Sequence, residues 1–294
     1  MDIPVTELGR EQSRARYPDS SGHIKRDGVR LYYEVYGSGE PTVFLLPTWS
    51  IIHSRHWKMQ IPYLARHCRV LSFDGRGNGR SDRPVTGYGE EEFAADALAV
   101  MDAEGWDSAC VLGVSFGGMV AQELAVTAPD RVERLALLCT SPGGPDRSSY
   151  PLHEVEPLPA EKRSQLRRRL IDTRFDDAWL AAHPGDAALA AMIDSREPQS
   201  DPQRGRGELE QLDARRTHDV WDRLPAITCP TFIGCGRYDG IAPPGNSKAM
   251  ASAIVGAELH EYEGGHAFFA QDRRSVPEVI EFLSRVDVSQ PPAS

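Results

Sequence analysis

The sequence predicts an α/β protein with a mostly parallel sheet flanked by helices and an inserted helical cap. Short apolar runs of the length of buried strands alternate with stretches that carry apolar residues at helical spacing. The alternation stops over residues 145–220, where we find helix-like pieces and no convincing strand, and then resumes. The length of 294 residues suits one domain that carries an insertion. We therefore expect an N-terminal arm at 1–21, a core at 22–144 and 221–294, and a cap at 145–220.

The core elements follow from their patterns. Asp27 and Gly28 form a turn signal between two alternating runs and predict a β-hairpin. The predicted strands are residues 23–25, 29–36, 42–46, 70–73, 110–114, 132–138, 231–236 and 257–262. The predicted core helices are residues 56–67, 88–104, 117–125 and 276–285. Within the cap we expect a Pro- and Ser-rich stretch at 146–158, helices at 161–172 and 176–182, and a polar loop at 197–207.

Composition excludes several classes of protein. The net charge of −10 argues against a nucleic-acid partner, because phosphate binding needs a basic surface. No apolar run approaches the roughly 20 residues that cross a bilayer, so we expect no membrane association. The first 21 residues lack the apolar core of a signal peptide, and this predicts a cytoplasmic protein. Five cysteines in or beside apolar runs, without metal-ligand spacing, predict buried free thiols.

The most informative stretch is Gly113-Val114-Ser115-Phe116-Gly117, which joins a predicted strand to a predicted helix. This pattern also arises by chance, so its context decides its meaning. A strand that turns at once into a helix strains the serine backbone, and side chains at Gly113 and Gly117 would collide where the two elements cross. The turn exposes the Ser115 hydroxyl beside a helix N-terminus, which favours a developing anion. The sequence therefore predicts a nucleophilic serine.

A serine nucleophile needs a histidine base and a carboxylate that orients the base. Asp239 follows the predicted strand 231–236, and His266 follows the predicted strand 257–262. Each residue alone could belong to an ordinary turn. Because parallel strands end on one side of a sheet, however, the loops that carry Ser115, Asp239 and His266 should converge. We therefore predict a Ser-His-Asp triad. His53 and His56 lack a third ligand nearby, so we predict no metal site and assign them to the surface or a helix cap.

At this point the chain resembles the α/β-hydrolase fold superfamily over residues 22–286, and its chain order Ser, Asp, His is the order of that fold. Residues 74–82, with the sequence DGRGNGRSD, resemble the loop after the family's fourth strand. The run 117–121 and the Gly-Gly-His ending at His266 look most like small esterases and enol-lactonases. Relatives usually carry His-Gly after the third strand, where this chain has Pro47-Thr48-Trp49-Ser50. The resemblance implies that the backbone N–H groups of Phe116 and Trp49 form the oxyanion hole. Trp49 could also be a wall of the acyl pocket.

Together these residues predict a serine hydrolase that cleaves an ester or lactone of a small organic substrate through an acyl-enzyme. A serine at position 115 disfavours epoxide hydrolase and dehalogenase chemistry, which in this fold relies on a carboxylate nucleophile. Two alternatives stay open: a lyase, cyclase or C–C bond hydrolase that uses the same triad, and a small-molecule receptor derived from a hydrolase. We expect no cofactor and a monomer or homodimer. Four cap arginines predict a solvated helix face rather than a carboxylate-binding site: Arg163, Arg167, Arg168 and Arg169.

Overall fold

A computed structural model describes residues 16–49, 56–155, 157–194 and 202–285, with the side chains of 202–205 excepted. Its centre is one eight-stranded sheet with the strand order β1-β2-β4-β3-β5-β6-β7-β8. The neighbours β1, β2 and β4 pair antiparallel, and all other neighbours pair parallel. The strands are Ser20–Arg26 (β1), Val29–Tyr36 (β2), Thr42–Leu45 (β3), Arg69–Phe73 (β4), Ala109–Val114 (β5), Val132–Leu138 (β6), Thr231–Gly236 (β7) and Glu258–Tyr262 (β8). The α/β class and the mostly parallel sheet are confirmed.

The predicted hairpin forms between β1 and β2. Asp27 and Gly28 both have positive φ angles, 48° and 87°, as a two-residue hairpin turn of the mirror-image type requires. Strand β1 begins at Ser20, before the start of the predicted strand 23–25. The cause is pairing: Ser20 lies opposite Val35 of β2, and an edge strand held by backbone hydrogen bonds needs no apolar pattern of its own. Residues 1–15 lie outside the described residues.

The helices pack on both faces of the sheet and above its carboxyl edge. Those of the core are Ile61–Leu64 (α1), Glu90–Ala103 (α2), Phe116–Thr127 (α3), Pro244–Ala253 (α8), Phe268–Gln271 (α9) and Ser275–Ser284 (α10). Those of the segment 145–220 are Ala160–Ile171 (α4), Asp177–Ala182 (α5), Pro184–Asp194 (α6) and Pro202–Thr217 (α7). One apolar cluster joins the sheet to α2 and α3, and a second joins its other face to α1 and α10.

Two predicted elements are wrong. The helix expected over 56–67 is reduced to α1, because Pro62 has no N–H and its ring would clash with the carbonyl of Lys58 in a continuous helix. The polar loop expected at 197–207 overlaps α7, which begins at Pro202. A proline suits the first turn of a helix. The sequence that follows is polar, so it shows no apolar periodicity that would predict a helix. The helices α6 and α8 were not predicted, and both are short and rich in alanine, glycine or serine.

The segment 145–220 leaves the sheet after β6 and returns before β7. Within its described residues it contains helices and turns, and no strand. Its two ends are joined by a bridge between Gly143 and Asp219 and by a 2.9 Å hydrogen bond from the Val220 N–H to the Pro142 carbonyl. These contacts support the proposed boundaries of the cap. Among the helices that the structure describes, none has the length and apolar character needed to cross a lipid bilayer.

Candidate active site

Ser115 lies between β5 and α3 in a conformation that few residues adopt, with φ 54° and ψ −118°. A Cβ atom on Gly113 would lie 2.2 Å from the carbonyl oxygen of Gly117. A Cβ atom on Gly117 would lie 2.6 Å from the carbonyl oxygen of Pro47. Only glycine lets the strand, the helix and the turn after β3 approach this closely. The predicted collision between strand and helix is confirmed for Gly113, whereas Gly117 makes room for the turn after β3.

Hydrogen bonds hold this strained backbone in place. The Ser115 N–H donates to the Leu138 carbonyl at 2.9 Å, and the Ser115 carbonyl accepts from the Gly118 N–H at 2.9 Å. The Thr140 hydroxyl also donates to the Ser115 carbonyl, at 2.8 Å. The sequence reasoning missed Thr140. Its signal was present, because Thr140 is a polar residue just beyond the carboxyl end of β6, the strand beside the nucleophile strand.

Asp239 follows β7 and is almost fully buried, with 3% of its surface exposed. Its Oδ1 accepts hydrogen bonds from the N–H groups of Ile241 and Ala242, both at 2.8 Å. Its Oδ2 lies 2.8 Å from Nδ1 of His266. One carboxylate oxygen is therefore held by the backbone of its own loop, and the other is directed at the imidazole.

His266 follows β8 and connects the other two side chains. Its Nε2 lies 2.9 Å from the Ser115 hydroxyl oxygen. A buried carboxylate accepts hydrogen bonds, so Nδ1 carries the proton and donates to Asp239, which leaves Nε2 free to accept from the hydroxyl. The structure thus brings together the three side chains predicted from the sequence, in the tautomer that a general base needs.

The two predicted oxyanion donors follow the carboxyl ends of β5 and β3. Phe116 is the first residue of α3, and in the described part of the chain its N–H and that of Trp49 have no hydrogen-bond acceptor. The Pro47 carbonyl contacts the start of α3, so the turn that carries Trp49 lies over the nucleophile helix. The Trp49 indole N–H donates to the carbonyl of Glu208 in α7 at 3.0 Å and ties this turn to the cap. Ser50 lies outside the described residues.

The cap contacts both loops that hold Asp239 and His266. At the C-terminus of α4, the Leu170 carbonyl accepts from the Gly240 N–H at 3.0 Å, and the Ile171 carbonyl accepts from the His266 N–H at 2.6 Å. The last carbonyls of a helix have no partner within it, and here the core supplies the missing donors. Helix α4 therefore fixes the two loops relative to each other.

A second group of buried polar side chains lies where α2, α7 and the loop after β6 meet. Burial raises the pKa of the Glu90 carboxyl to about 7 and lowers the pKa of the His218 imidazole to about 3. Burial also lowers the pKa of Arg215 to about 10, an effect that the charges of Glu90 and Asp239 oppose. Glu90 Oε1 lies 4.0 Å from His218 Nδ1 and has no hydrogen-bond partner among the residues that the structure describes. At neutral pH the His218 imidazole is uncharged, and Glu90 is the member of this group whose charge changes with pH in that range.

The remaining predicted sites have ordinary surroundings. In the described ranges, no three His, Cys, Asp or Glu side chains are placed to hold a metal ion. His53 lies outside those ranges, and His56 is half-buried with its ring edge-on to Trp57 and Phe269. The cysteines are free thiols; four are buried and Cys229 is half-buried. Burial raises the pKa of every one of these thiols.

The cap arginines make contacts within the cap. Arg168 forms an ion pair with Asp194 at 3.0 Å and so joins α4 to α6. Arg169 pairs with Asp176 at 3.3 Å, at the start of α5. Arg163 donates to the Leu158 carbonyl. These contacts support a structural role for the arginines rather than binding of a substrate carboxylate.

The loop after β4 is also built around ion pairs. Arg76 binds the fully buried carboxylate of Asp96 through two hydrogen bonds of 2.7 Å. The Asp74 carboxylate accepts from the Arg80 N–H at 2.9 Å. A Cβ atom on Gly79 would lie 2.1 Å from that carboxylate. The DGRGNGRSD sequence therefore folds the loop onto α2.

Comparison with known proteins agrees with this architecture. A family model described as alpha/beta hydrolase fold matches residues 41–272. The chain therefore belongs to the α/β-hydrolase fold family.

Two relatives and one solved structure illustrate the range of this family. A putative carbamate hydrolase RutD of Azorhizobium caulinodans is 29% identical over 250 residues, which cover 82% of this chain and 89% of the relative. A non-heme haloperoxidase of Rhodococcus erythropolis is 30% identical over 250 residues, which cover 81% and 89%. The structure of Est816, described as an N-acyl homoserine lactone degrading enzyme, is 27% identical with a TM-score of 0.72 and covers 88% of this chain and 99% of its own. The family and the hydrolase among these relatives identify the chain as a hydrolase.

Proposed function

We propose that the chain is a serine hydrolase that cleaves an ester or lactone bond of a small organic substrate. The observation that carries this proposal is the continuous hydrogen-bonded path from Ser115 Oγ through His266 to Asp239, with distances of 2.9 Å and 2.8 Å. A hydroxyl is a poor nucleophile at neutral pH, and this path supplies the base that removes its proton. The strained turn at Ser115 supports the same role, because backbone strain of this kind persists where the surrounding structure maintains it.

In the first half of the reaction, Ser115 Oγ attacks the substrate carbonyl carbon while His266 Nε2 takes the hydroxyl proton. Asp239 stabilises the imidazolium that forms. The tetrahedral oxyanion receives hydrogen bonds from the N–H groups of Phe116 and Trp49. When it collapses, the carbon–oxygen bond to the leaving alcohol breaks and His266 returns the proton to that alcohol. The result is an acyl group on Ser115.

The second half repeats these steps with water. His266 takes a proton from water, the hydroxide attacks the acyl carbon, and the bond to Ser115 Oγ breaks as the serine recovers its proton. The acid is released and the enzyme returns to its starting state. The cycle consumes one water for each bond cleaved.

The proposed substrate class rests on the kind of nucleophile at the site and on the names of the relatives. The nucleophile is a neutral hydroxyl with a base, the arrangement used for acyl transfer. The name of Est816 supports a lactone as one substrate form, and the name of RutD widens the carbonyl class to carbamates. We propose that the substrate binds between the core and the cap, whose helices α4 and α7 contact the loops of the site, and that cap residues select it. A cytoplasmic monomer or homodimer remains part of the proposal.

A panel of activated esters, lactones, thioesters and carbamates tests this function. We expect the parent protein to hydrolyse members of the panel and Ser115→Ala to lose at least about 10³-fold in kcat. Intact mass spectrometry after a brief reaction should detect the acyl group on the parent and none on the variant. Ser252→Ala is the matched control, because Ser252 is an exposed helical serine whose hydroxyl donates to the Lys248 carbonyl of its own helix. A Ser115→Ala protein with parental activity would refute the proposal.

A further inference from the structure

Directly after α4, Asp172 presents a carboxylate that is fully buried. Arg174 binds it through two side-chain hydrogen bonds, 2.9 Å from Nε to Oδ1 and 2.7 Å from Nη2 to Oδ2. The Arg174 N–H also donates to Oδ1 at 3.0 Å. A buried carboxylate costs several kcal/mol unless it is paired, and the guanidinium supplies the pairing. The position of the Asp172 carboxylate is therefore fixed by its contacts with Arg174.

The side-chain amide of Gln271, at the end of α9, connects Asp172 to the loop that carries His266. Its Nε2 donates to Asp172 Oδ2 at 3.0 Å and to Asp186 Oδ1 at 3.1 Å. Its Oε1 accepts from the Gly265 N–H at 2.9 Å. Carboxylates accept and a backbone N–H donates, so these partners determine which way the amide faces.

The loop has little freedom to move away from these contacts. A Cβ atom on Gly265 would lie 2.0 Å from the Ile171 carbonyl oxygen, and one on Gly264 would lie 2.6 Å from Gln271 Oε1. Gly264 has a φ of 139°, a conformation that glycine tolerates best. The two glycines therefore lie against the end of α4 on one side and the Gln271 amide on the other.

We propose that Gln271 is a positioning residue for the base of the reaction. By accepting from the Gly265 N–H, Gln271 orients the peptide that immediately precedes His266. Through its own amide it links that peptide by hydrogen bonds to the buried carboxylate of Asp172. The inference rests on the proposed function, since it concerns the distance of 2.9 Å between His266 Nε2 and Ser115 Oγ. Gln271 itself has no contact with Ser115, His266 or Asp239 side chains among its described hydrogen bonds.

Loss of the Gln271 amide should act on the chemical step. A displaced imidazole removes the Ser115 proton less efficiently, and a misplacement of about 1 Å can lower a rate by about 100-fold. Substrate binding should change little, because the hydrogen bonds of Gln271 join the peptide before His266 to Asp172 and Asp186 and involve neither Ser115 nor the predicted oxyanion donors. We therefore expect a fall in kcat with a nearly constant KM.

The first test is Gln271→Met, which keeps a side chain of similar length and removes both hydrogen-bonding functions. Active sites are counted by titration with a small phosphonate ester that reacts with the serine. We expect kcat per titrated site to fall by about 10-fold and KM to change by less than about twofold. Gln60→Met is the control, because Gln60 is a half-buried glutamine at the start of α1, outside the catalytic loops and outside the cap. It should keep the parental kcat per site.

The second test exchanges donor and acceptor. Gln271→Glu places a third carboxylate beside Asp172 and Asp186, so we expect a larger loss of kcat than in Gln271→Met. Adding Asp172→Asn supplies an amide donor for the new carboxylate and keeps the total charge of the parent. The double variant should recover at least about tenfold of the kcat lost in Gln271→Glu, because coupled residues are not additive.

The outcomes separate this inference from the proposed function. If Gln271→Met keeps the parental kcat per titrated site, or if Asp172→Asn gives no recovery, Gln271 has only a structural role and the inference is wrong. The proposed function survives either result as long as Ser115→Ala is inactive. If Ser115→Ala is active, the proposed function fails on its own measurement.

Discussion

The exchange Asp239→Asn separates the charge of this carboxyl from its position in the site. The two side chains have nearly the same shape, so the new amide can occupy the same space. Oδ1 of Asp239 accepts from the Ile241 and Ala242 N–H groups at 2.8 Å, and an amide NH2 group cannot replace it there because two donors would face each other. The amide oxygen therefore stays on the loop, and the NH2 group faces His266 Nδ1.

This orientation reverses the tautomer of the imidazole. Nδ1 must now accept, so the proton moves to Nε2, and Nε2 can no longer accept from Ser115. Restoring the productive tautomer requires the amide to turn over and leave two buried N–H groups without partners, at about 1–3 kcal/mol each. A total of about 4 kcal/mol corresponds to about 10³-fold in rate, and loss of the carboxylate charge adds to it, so we expect kcat to fall by about 10³- to 10⁴-fold.

Steady-state hydrolysis of an activated ester measures this effect, with thermal unfolding as a check on folding. Asp219→Asn is the matched control, because Asp219 also accepts from a backbone N–H two residues ahead, that of Trp221, and lies away from the triad. We expect the control to keep the parental kcat. An Asp239→Asn protein that retained kcat within about tenfold of the parent would contradict the tautomer argument.

Gly265→Ala must separate the His266 loop from α4 by at least about 1 Å, since its Cβ would lie 2.0 Å from a backbone oxygen, and kcat should fall by about 100-fold. Gly245→Ala, which has open space around its Cβ, is the control and should keep the parental kcat. A Gly265→Ala protein with parental kcat would rule out this packing. Because the fold raises the pKa of Glu90 to about 7, ionisation of this carboxyl opposes folding as pH rises from about 4.5 to 7. In urea unfolding, the free energy of unfolding of Glu90→Gln should exceed that of the parent by about 3 kcal/mol at pH 8 and by less than about 1 kcal/mol at pH 5. If the two proteins are equally stable at both pH values, the raised pKa is contradicted. Burial raises the pKa of all five thiols, so a disulfide reagent at pH 8 should modify the native protein far more slowly than the urea-unfolded protein. Rapid labelling of the native protein would contradict the burial of these thiols.

The sequence was most informative where local geometry and chemistry coincide. Gly113 and Ser115 could be interpreted together because the steric conflict at Gly113 is with Gly117, which is close in the chain. The close contact of Gly117 is with Pro47, which only the tertiary structure brings near. Asp239 and His266 could be placed because each follows a strand whose apolar pattern was clear. The rule that parallel strands end at one edge then brought the three loops together.

Elements without an apolar pattern escaped prediction. Helix α7 is strongly polar, and α6 and α8 are short, so hydrophobic periodicity gave no signal for them. The helix expected over 56–67 failed because one proline outweighed the apolar spacing. The apolar pattern was thus absent for three helices, and a local backbone effect overrode it in the fourth case.

By itself the sequence determined the fold class, the strained serine turn and the identity of the three side chains at the sheet edge, because these depend on short-range sterics and on strand direction. The tertiary structure alone decided how those side chains are held. Thr140 fixes the Ser115 carbonyl, and α4 with Asp172 and Gln271 fixes the His266 loop, through hydrogen bonds between segments up to 99 residues apart. Such contacts depend on how neighbouring core loops pack and on how the cap docks on the core, and packing of this kind has no periodicity that a linear sequence can display.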